Sequence, residues 1–345
     1  MDRDNLYVNG YTNREEKAFL ATIKDVALAA KVSVATVSRV LNETGYVHED
    51  TRARVLKAME ELNYHPNEVA RSLYKRESRL IGLLLPDITN PFFPQLARGV
   101  EDEIHRLGFR LIFGNSDENL EKELDYMQTF KQNHVVGVIS ATNYPDAPNY
   151  QDLSMPIVFL DRTGENAPAV FADSREGGRI AAAEMIKRNA KRITLIKGPA
   201  HLQTARDRFN GALDVLSGAD IDFHVMKTET FSFPEAQKRA AELFGTYPET
   251  DGVIASNDIV ATAVLHEALK RKIKVPDELQ IIGFDDIPQS ELLFPSLSTI
   301  RQPAYEMGKE AAKLLLRLMK NEYIEQSAVQ MPVAFIERQT TRKAE

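Results

Sequence analysis

The chain of 345 residues contains no cysteine, which excludes disulfide bonds and thiolate metal sites. It also lacks an apolar run long enough to cross a membrane, and its first residues do not read as a signal peptide. These absences are typical of a cytoplasmic protein. The composition, 43% hydrophobic and 27% charged, is ordinary for a globular protein with a sizeable core. The length predicts two or three domains.

Motifs of the common enzyme classes are missing as well. The seven histidines are scattered without HExxH or other metal spacing. The sequence has no P-loop, no GxSxG elbow and no GxGxxG after its first apolar strand. The adjacent Asp285 and Asp286 would point to opposite sides of an extended strand, so they form a poor acid–base pair. We therefore predict a protein that is not an enzyme and that uses no cofactor and no metal.

The net charge of −7 is unevenly distributed along the chain. Residues 21–79 carry ten Lys and Arg against eight Asp and Glu, whereas the rest of the chain holds the acidic excess. Phosphate groups attract the weakly basic part and repel the acidic part. We therefore expect only residues 21–79 to meet DNA. Their modest charge favours a dimer, which would double the number of contacts.

The segment TIKDVALAAKVSVATVSRVLN, residues 22–42, predicts two short amphipathic helices around a tight turn. Thr22 and Ser33 are suitable N-caps for the two helices. The spacing of one helical face predicts the residues that each helix buries. These are Ile23, Val26, Ala27 and Ala30 in the first helix, and Val37, Val40 and Leu41 in the second.

The opposite face of the second helix is suited to DNA. Small residues at its N-terminal end let the backbone approach a duplex, Arg39 can bind guanine bidentately, and hydroxyl groups can donate to phosphates. A helical hairpin that merely packs would have no need of this arrangement. The predicted DNA-binding residues on this face are Val34, Ala35, Thr36, Ser38, Arg39 and Asn42.

The first 79 residues divide into three parts. Residues 1–20 are polar and without periodicity, and indicate a disordered extension, a start-site artefact or a sequence added during cloning. Residues 21–66 predict the DNA-binding domain, completed by a third helix at about 50–63 with the stripe Val55, Leu56, Met59 and Leu62. Residues 67–79 predict a short hinge helix and linker, too short to be stable alone.

From residue 80 onward, apolar strands alternate with amphipathic helices. This alternation predicts parallel sheets with right-handed crossovers. The stretch 157–173 lacks an intervening helix, which indicates a passage from one α/β lobe to another. The predicted strands are Leu80–Leu85, Arg110–Phe113, Val135–Ile139, Ile157–Leu160, Ile193–Ile196, Gly252–Ala255 and Leu279–Gly283.

Polar and aromatic residues gather where these strands should end. A sugar needs this mixture, because its C–H faces stack on rings while each hydroxyl both donates and accepts. Ligands of open α/β folds bind outside the carboxyl ends of strands. The residues that follow the predicted strands include Asp87, Asn90, Phe92, Phe93, Asp161, Arg162, Arg206, Arg208, Asn257, Asp258, Asp285, Asp286 and Gln302.

These motifs together resemble the LacI/GalR family of bacterial transcription regulators. The resemblance covers residues 21–343 and rests on TIKDVALAAKVSVATVSRVLN, GYVHEDTRARV, NEVARSL, LIGLLLPDITNPFF, SNDIVA and IIGFDDIP. It implies an all-α helix-turn-helix head and a periplasmic-binding-protein-like core with three crossovers, residues 80–345. One lobe would take about 80–172 and 303–325, and the other about 173–302 and 326–345.

The resemblance also implies roles for residues of the head and hinge. The base-reading positions of the family fall on Val34, Ala35 and Arg39, and its phosphate contacts on Thr36, Ser38 and Asn42. Leu73 matches the hinge leucine that enters the minor groove, with Asn67, Ala70 and Ser72 near the DNA backbone. Many members have glycine where Lys31 stands in the turn, and a left-handed conformation there would cost lysine about 1 kcal/mol.

The lobes resemble periplasmic ribose-binding proteins in the residue types of their site. The matching residues are Asn90, Phe92, Phe93, Asp161, Arg162, Arg206, Asn257, Asp285 and Gln302. A further ring, Phe231 or Phe233, would close the site. The effector implied is ribose or a ribose phosphate.

We therefore predict a homodimeric repressor of a sugar-utilisation operon, which binds pseudo-palindromic double-stranded operator DNA under the control of a small sugar. Two alternatives stay open. The chain could be a global carbon-catabolite regulator of the same family, with a phosphocarrier protein as corepressor, or a purely sugar-binding protein.

Overall fold

The computed structural model describes residues 21–64, 78–142, 155–162 and 167–344. Contacts between Cα atoms divide the chain into two compact units, Met1–Glu77 and Ser78–Glu345. We call the described residues of the first unit the head and those of the second unit the core. Within these residues, no helix is both long enough and apolar enough to cross a membrane.

The head consists of three short helices, α1 (Ile23–Ala29), α2 (Val34–Asn42) and α3 (Glu49–Glu61). The caps form as predicted: Thr22 accepts a hydrogen bond from the Asp25 backbone N–H in a capping box, and Ser33 accepts one from Thr36 N–H. Lys31 in the turn has a φ of +54°, so the left-handed turn is confirmed. A small apolar core closes the unit: Val26, Ala27, Ala30, Val37, Val40, Val55 and Ala58.

The stripe predicted for the third helix is partly wrong. Val55 is buried, but Leu56 is 51% exposed and Leu62 is 36% exposed. Ala58 takes the inner position instead, because it lies three residues after Val55 and so on the same helical face, whereas Leu56 is turned about 100° away. The small alanine lets α3 pack closely against α1 and α2.

The predicted hinge contacts fall outside the described residues. Asn67, Ala70, Ser72 and Leu73 all lie between residue 64 and residue 78, and residues 1–20 are also outside this range.

The core alternates strands and helices, as predicted. Its first part contains β1 (Leu80–Leu85), α4 (Phe92–His105), β2 (Arg110–Asn115), α5 (Leu120–Gln132), β3 (Gly137–Ser140), β4 (Ile157–Leu160) and β5 (Ala169–Ala172). Its second part contains α6 (Ser174–Lys187), β6 (Arg192–Lys197), α7 (Gln203–Leu216), β7 (Asp222–Lys227), α8 (Phe233–Thr246), β8 (Gly252–Ile254), α9 (Asp258–Lys270), β9 (Gln280–Asp285), α10 (Gln289–Leu292) and β10 (Ser298–Arg301). The chain then forms α11 (Ala304–Met319), β11 (Ala328–Met331) and β12 (Ala334–Ile336).

These elements build two lobes, each around one six-stranded sheet. The sheet of the first lobe has the order β11-β5-β4-β3-β1-β2 and its strands pair in parallel. The sheet of the second lobe has the order β12-β10-β9-β8-β6-β7, and only its edge strand β12 runs antiparallel. The predicted fold class, an all-α head with a two-lobed α/β core of parallel sheets, is confirmed.

The chain passes between the lobes at Asp173, at residues 302–303 and at residues 332–333. The last of these corrects the predicted boundary, which assigned residues 326–345 to the second lobe. Strand β11 belongs to the first sheet because it pairs with β5, with Val329 opposite Val170. Its short sequence AVQM alternates in exposure as an edge strand does, and this pattern does not reveal which sheet it joins.

Each lobe contains one pair of helices whose backbones touch through glycine. In the first lobe, a Cβ atom on Gly99 of α4 would overlap the Tyr305 carbonyl oxygen of α11, and one on Gly308 would overlap that of Leu96. In the second lobe, Gly178 of α6 and Gly211 of α7 make the same kind of contact with the carbonyl oxygens of the facing helix. Both pairs carry residues of the site described next.

Candidate functional site

A cavity of about 290 Å³ lies between the two lobes of the core. Residues from both lobes line it, and most of them follow the carboxyl ends of strands, where open α/β folds bind ligands. Its lining residues are Pro86, Asp87, Asn90, Phe92, Phe93, Asp117, Glu118, Asp161, Arg162, Thr204, Arg208, Thr230, Phe231, Ser232, Asn257 and Asp285.

The first lobe supplies two aromatic rings at the start of α4. Phe92 and Phe93 are 2% and 5% exposed, and their rings meet edge to face with 5.4 Å between centroids. Asn90 orients this helix start, because its Oδ1 accepts a hydrogen bond of 3.1 Å from the Phe92 backbone N–H. The rings therefore offer a firm apolar wall for the C–H face of a ligand.

The first lobe also places a buried ion pair after β4. The Oδ2 atom of Asp161 lies 3.9 Å from Nε of Arg162, and Nη2 of Arg162 lies 3.6 Å from Oε1 of Glu118. Burial raises the pKa of the Asp161 carboxyl, although Arg162 and Arg208 partly offset this effect. Burial likewise lowers the pKa of Arg162, against the attraction of Asp161 and Glu118. Burial removes both groups from solvent, and this disfavours their charged forms.

The second lobe sets Arg208 of α7 beside Asp285 at the end of β9. Nη1 of Arg208 lies 3.3 Å from Oδ1 of Asp285 and donates a hydrogen bond of 3.0 Å to the Ser256 carbonyl. The guanidinium group also stacks on Phe284, 3.9 Å from the ring centroid. Burial raises the pKa of Asp285 to about 7, with Arg208 acting in the opposite direction.

Asn257 extends this wall from the N-terminus of α9. Its Oδ1 accepts a hydrogen bond of 3.0 Å from the Val260 backbone N–H, which caps the helix. The cap uses the oxygen, so the amide Nδ2 is the group that can donate to a ligand. Phe231 adds a third ring to the cavity, whereas Phe233 is 53% exposed at the start of α8. This resolves the choice between the two phenylalanines.

Several buried polar atoms of the lining side chains make no hydrogen bond with any described residue. They include donors as well as an acceptor: Arg162 Nε and Nη1, Arg208 Nε, Asn257 Nδ2 and Asp161 Oδ1. Buried polar atoms without partners are costly, so a cavity of this kind is suited to a ligand that donates and accepts.

The structure brings seven of the nine predicted effector-binding residues to the cavity: Asn90, Phe92, Phe93, Asp161, Arg162, Asn257 and Asp285. Gln302 does not line it, but its Nε2 donates a hydrogen bond of 2.7 Å to Oδ1 of Asp285. Gln302 therefore holds a lining residue in place.

The choice of Arg206 is wrong, because Arg208 lines the cavity instead. Two residues along a helix turn a side chain by about 200°, so the two arginines lie on opposite faces of α7. Arg206 donates hydrogen bonds of 2.9 Å to the Ala200 and His201 carbonyls, which fasten the preceding loop.

Some lining residues were not predicted as site residues. Asp87 and Arg208 were noted at strand ends but not selected, and the others lie in loops after β2 and β7 or at the start of α7: Asp117, Glu118, Thr204, Thr230 and Ser232. The polar sequence SDEN after β2 could have indicated Asp117 and Glu118, because it follows the same rule of polar residues at strand ends.

The head presents the predicted DNA-binding face on α2. Val34, Ala35 and Arg39 are exposed, and Thr36, Ser38 and Asn42 are half-buried. Asn42 Nδ2 donates to the carbonyl oxygen of Ser38 at 3.0 Å and to its Oγ at 3.2 Å. Since Ser38 Oγ accepts in this contact, its own proton can be donated to a phosphate oxygen.

Comparisons with known proteins match both units. A family model described as bacterial regulatory proteins, lacI family, covers residues 22–67, and one described as a periplasmic binding protein-like domain covers residues 182–341. The ribose operon repressor of Bacillus subtilis is 67% identical over 324 residues, which are 94% of this chain and 99% of the relative.

Solved structures show the same architecture. A lac repressor dimer bound to operator and the anti-inducer ONPF matches 93% of this chain and 99% of its own, with a TM-score of 0.83 and 25% identity. A LacI family transcriptional regulator from Enterococcus faecium with bound ribose matches 76% of this chain and 98% of its own, with a TM-score of 0.67 and 31% identity.

Proposed function

Since the chain belongs to the lacI family of bacterial regulatory proteins, we propose that it represses a ribose-utilisation operon and releases its operator when ribose fills the cavity. The observation that carries this proposal is the cavity itself. It sets the Phe92 and Phe93 rings in one lobe against the Arg208–Asp285 pair of the other, among polar atoms without partners. The C–H face of a small sugar ring can stack on the phenylalanines, and its hydroxyl groups can hydrogen-bond to the charged pair and to the polar atoms.

The charges of the cavity favour the neutral pentose over its phosphate. Its lining holds two guanidinium groups, and each already lies within 4 Å of a carboxylate. The carboxylates outnumber them: Asp87, Asp117, Glu118, Asp161 and Asp285. A phosphate dianion would add negative charge to a site in which each guanidinium group of the described lining residues already faces a carboxylate, which costs binding free energy.

The α2 face supports binding to operator DNA in the cytoplasm. Exposed Val34 and Ala35 leave room for the duplex, and Arg39 can reach a guanine edge. In this proposal Thr36 and Ser38 position the helix on phosphates, and Asn42 orients Ser38. The hinge would complete the DNA contacts, with Leu73 in the minor groove and Asn67, Ala70 and Ser72 near the DNA backbone.

We propose that the repressor acts as a homodimer, with one head on each half of a pseudo-palindrome. The second lobe carries two neighbouring apolar side chains in solvent, Leu292 at 83% and Phe294 at 86% exposure. Exposed apolar neighbours of this kind support an interface with a second copy. Closure of the lobes on ribose would then change the distance between the hinge segments of the two subunits and lower the affinity for the operator.

Two titrations test this function. Calorimetry with ribose, ribose 5-phosphate and other pentoses should give tight binding to ribose alone, and operator affinity measured by fluorescence anisotropy should fall when ribose is added. A phosphocarrier corepressor would tighten operator binding instead. Identical operator affinity with and without ribose contradicts the proposal. No turnover of ribose is expected in either assay.

The hinge is tested separately. Leu73→Ala should weaken operator binding and reduce DNA bending while ribose affinity stays unchanged, because the leucine wedge acts on DNA alone. Unchanged operator affinity in this variant would argue against the proposed hinge contact.

A further inference from the structure

The loop at the end of β9 holds two consecutive aspartates in left-handed backbone conformations. The φ of Asp285 is +111° and that of Asp286 is +58°. Residues other than glycine rarely adopt such angles, and they persist only when their surroundings enforce them. Asp285 lines the cavity, so this strained backbone determines where a ligand-facing carboxylate points.

Asp286 does not line the cavity, but its buried carboxylate is held between two arginines. Arg301 Nε donates a hydrogen bond of 2.6 Å to Oδ2, and Arg338 Nη1 lies 2.7 Å from Oδ1. The Asp286 and Arg338 side chains are 6% and 12% exposed, so solvent screens their pair little, whereas the Arg301 side chain is half-exposed. We call Asp286, Arg301 and Arg338 the aspartate clamp.

One arginine of the aspartate clamp stands next to a passage between the lobes. Arg301 is the last residue of β10, just before the passage at 302–303. Arg338 lies beyond the far end of β12, because Arg301 pairs with Ala334 at the end of that strand nearest the passage. Gln302, within the passage at 302–303, also binds Asp285 through its side chain. Through Arg301 and Gln302, the loop that carries Asp285 is thus attached to one of the three segments about which the lobes can move.

The other end of the loop is fastened independently. The Ile287 backbone N–H donates a hydrogen bond of 2.9 Å to Oδ2 of Asp258. The Ser290 hydroxyl donates to the same oxygen, and the Thr299 hydroxyl donates to Oδ1. Asp258 thus holds Ile287, and Gln302 and Arg208 hold the Asp285 side chain. The contacts of the Asp286 carboxylate hold the residue between these two points.

We propose that Asp286 is a positioning residue for sugar binding: the aspartate clamp keeps the backbone of Asp285 in the shape that aims its carboxylate into the cavity. This inference rests on the proposed function for its ligand, ribose. Asp286 itself touches no ligand.

The test compares variants that remove the charge of Asp286. Asp286→Asn keeps a residue type that tolerates positive φ but turns an amide N–H₂ toward one of the arginines, so ribose affinity should fall about tenfold. Asp286→Gly removes the strain together with the carboxylate, and should lose a similar factor if the clamp is what positions the loop. Glu267→Gln is the matched control. The Glu267 side chain of α9 is 12% exposed and likewise pairs with two cations, Lys270 and Arg271. It should bind ribose within about twofold of the parent.

A milder variant covers the case in which Asp286 substitutions prevent folding. Arg301→Gln removes one arm of the clamp at a side chain that is 51% exposed, and should weaken ribose binding about threefold without loss of the folded state by circular dichroism. Ribose affinity within about twofold of the parent in all clamp variants would overturn the proposal.

A structural readout separates this proposal from the proposed function. In a crystal structure of unliganded Asp286→Asn, the φ of Asp285 should become negative and its carboxylate should move away from Arg208. If the parent chain binds no ribose, the proposed function fails, but this structure still tests the clamp. Retention of the positive φ and of the 3.3 Å contact with Arg208 would overturn it.

Discussion

The two lobes of the core follow one plan but contribute different chemistry to the cavity. Each has a six-stranded sheet and one pair of helices in backbone contact. The first lobe provides the Phe92 and Phe93 rings, whereas the second provides Arg208, Asn257 and the strained Asp285. Both lobes also supply polar groups, since Asp161 and Arg162 come from the first lobe. The sharpest difference is between the two adjacent rings of the first lobe and the strained carboxylate of the second. We expect affinity to depend more on this carboxylate than on the rings.

The largest expected effect is the loss of the carboxylate of the second lobe. Asp285→Ala removes an acceptor that can bind two hydroxyl groups, and charge-assisted bonds of this kind contribute about 1.5–3 kcal/mol each. Ribose affinity measured by calorimetry should fall by a factor on the order of 100, and operator binding should become insensitive to ribose. Asp277→Ala, an exposed aspartate of the same lobe, is the control. Normal ribose response in Asp285→Ala would contradict the role of the second lobe.

The next effect is on the pH dependence of binding. Burial raises the pKa of Asp285 to about 7 in the unliganded protein. Hydroxyl groups of the sugar donate to the ionised carboxylate, so binding favours the deprotonated form and releases a proton. Affinity should therefore rise about tenfold from pH 6 to pH 8 and then level off.

Calorimetry in buffers of different ionisation enthalpy measures the released proton. Asp285→Asn removes the titrating group, so any residual binding by that variant should lose this rise. A parent chain whose affinity falls as the pH rises would show that Asp285 binds the sugar as the neutral acid.

A smaller effect is expected from the rings of the first lobe. Phe93→Leu keeps an apolar side chain but loses the flat face on which a sugar stacks, and such contacts contribute about 0.5–1.5 kcal/mol. Ribose affinity should fall roughly fivefold. Phe113→Leu, on the exposed edge strand β2, is the control. A loss as large as that of Asp285→Ala would mean that both lobes contribute equally, and the comparison would fail.

The smallest effect concerns a contact between the lobes. Glu118 of the first lobe lies 3.6 Å from Nε2 of His201 in the second lobe, and both side chains are partly exposed. Solvent screens such pairs, so His201→Gln should weaken ribose binding only about twofold. This variant removes the contact alone, whereas Glu118→Gln would also remove the pair with the buried Arg162. A tenfold loss in His201→Gln would show that this contact carries the closure of the lobes.

Local patterns were enough to predict the head and the alternation of the core. Caps such as Thr22 and Ser33 and the buried stripe of α1 depend on residues within one turn of each other, which the sequence displays directly. The cluster of polar residues at strand ends followed from a general rule about parallel sheets. Most of the site could be predicted in this way.

What could not be predicted depends on contacts between distant segments. Arg206 and Arg208 are two residues apart on one helix, and only the rotation of α7 against the sheet decides which of them enters the cavity. The assignment of β11 depends on its pairing with β5, more than 150 residues earlier in the chain. The role of Asp286 is also of this kind, because Arg301 and Arg338 approach it from separate strands.

The glycine contacts between helices have a consequence for how the protein responds to its ligand. Where the main chain of α4 rests on α11, and that of α6 on α7, no side chain lies between them that could slide or repack. When a ligand displaces Arg208 or Phe92, the helix packed against that residue's own helix should therefore move with it. Each half of the core should respond as a solid body, so the whole displacement must be absorbed by the short connections between the halves.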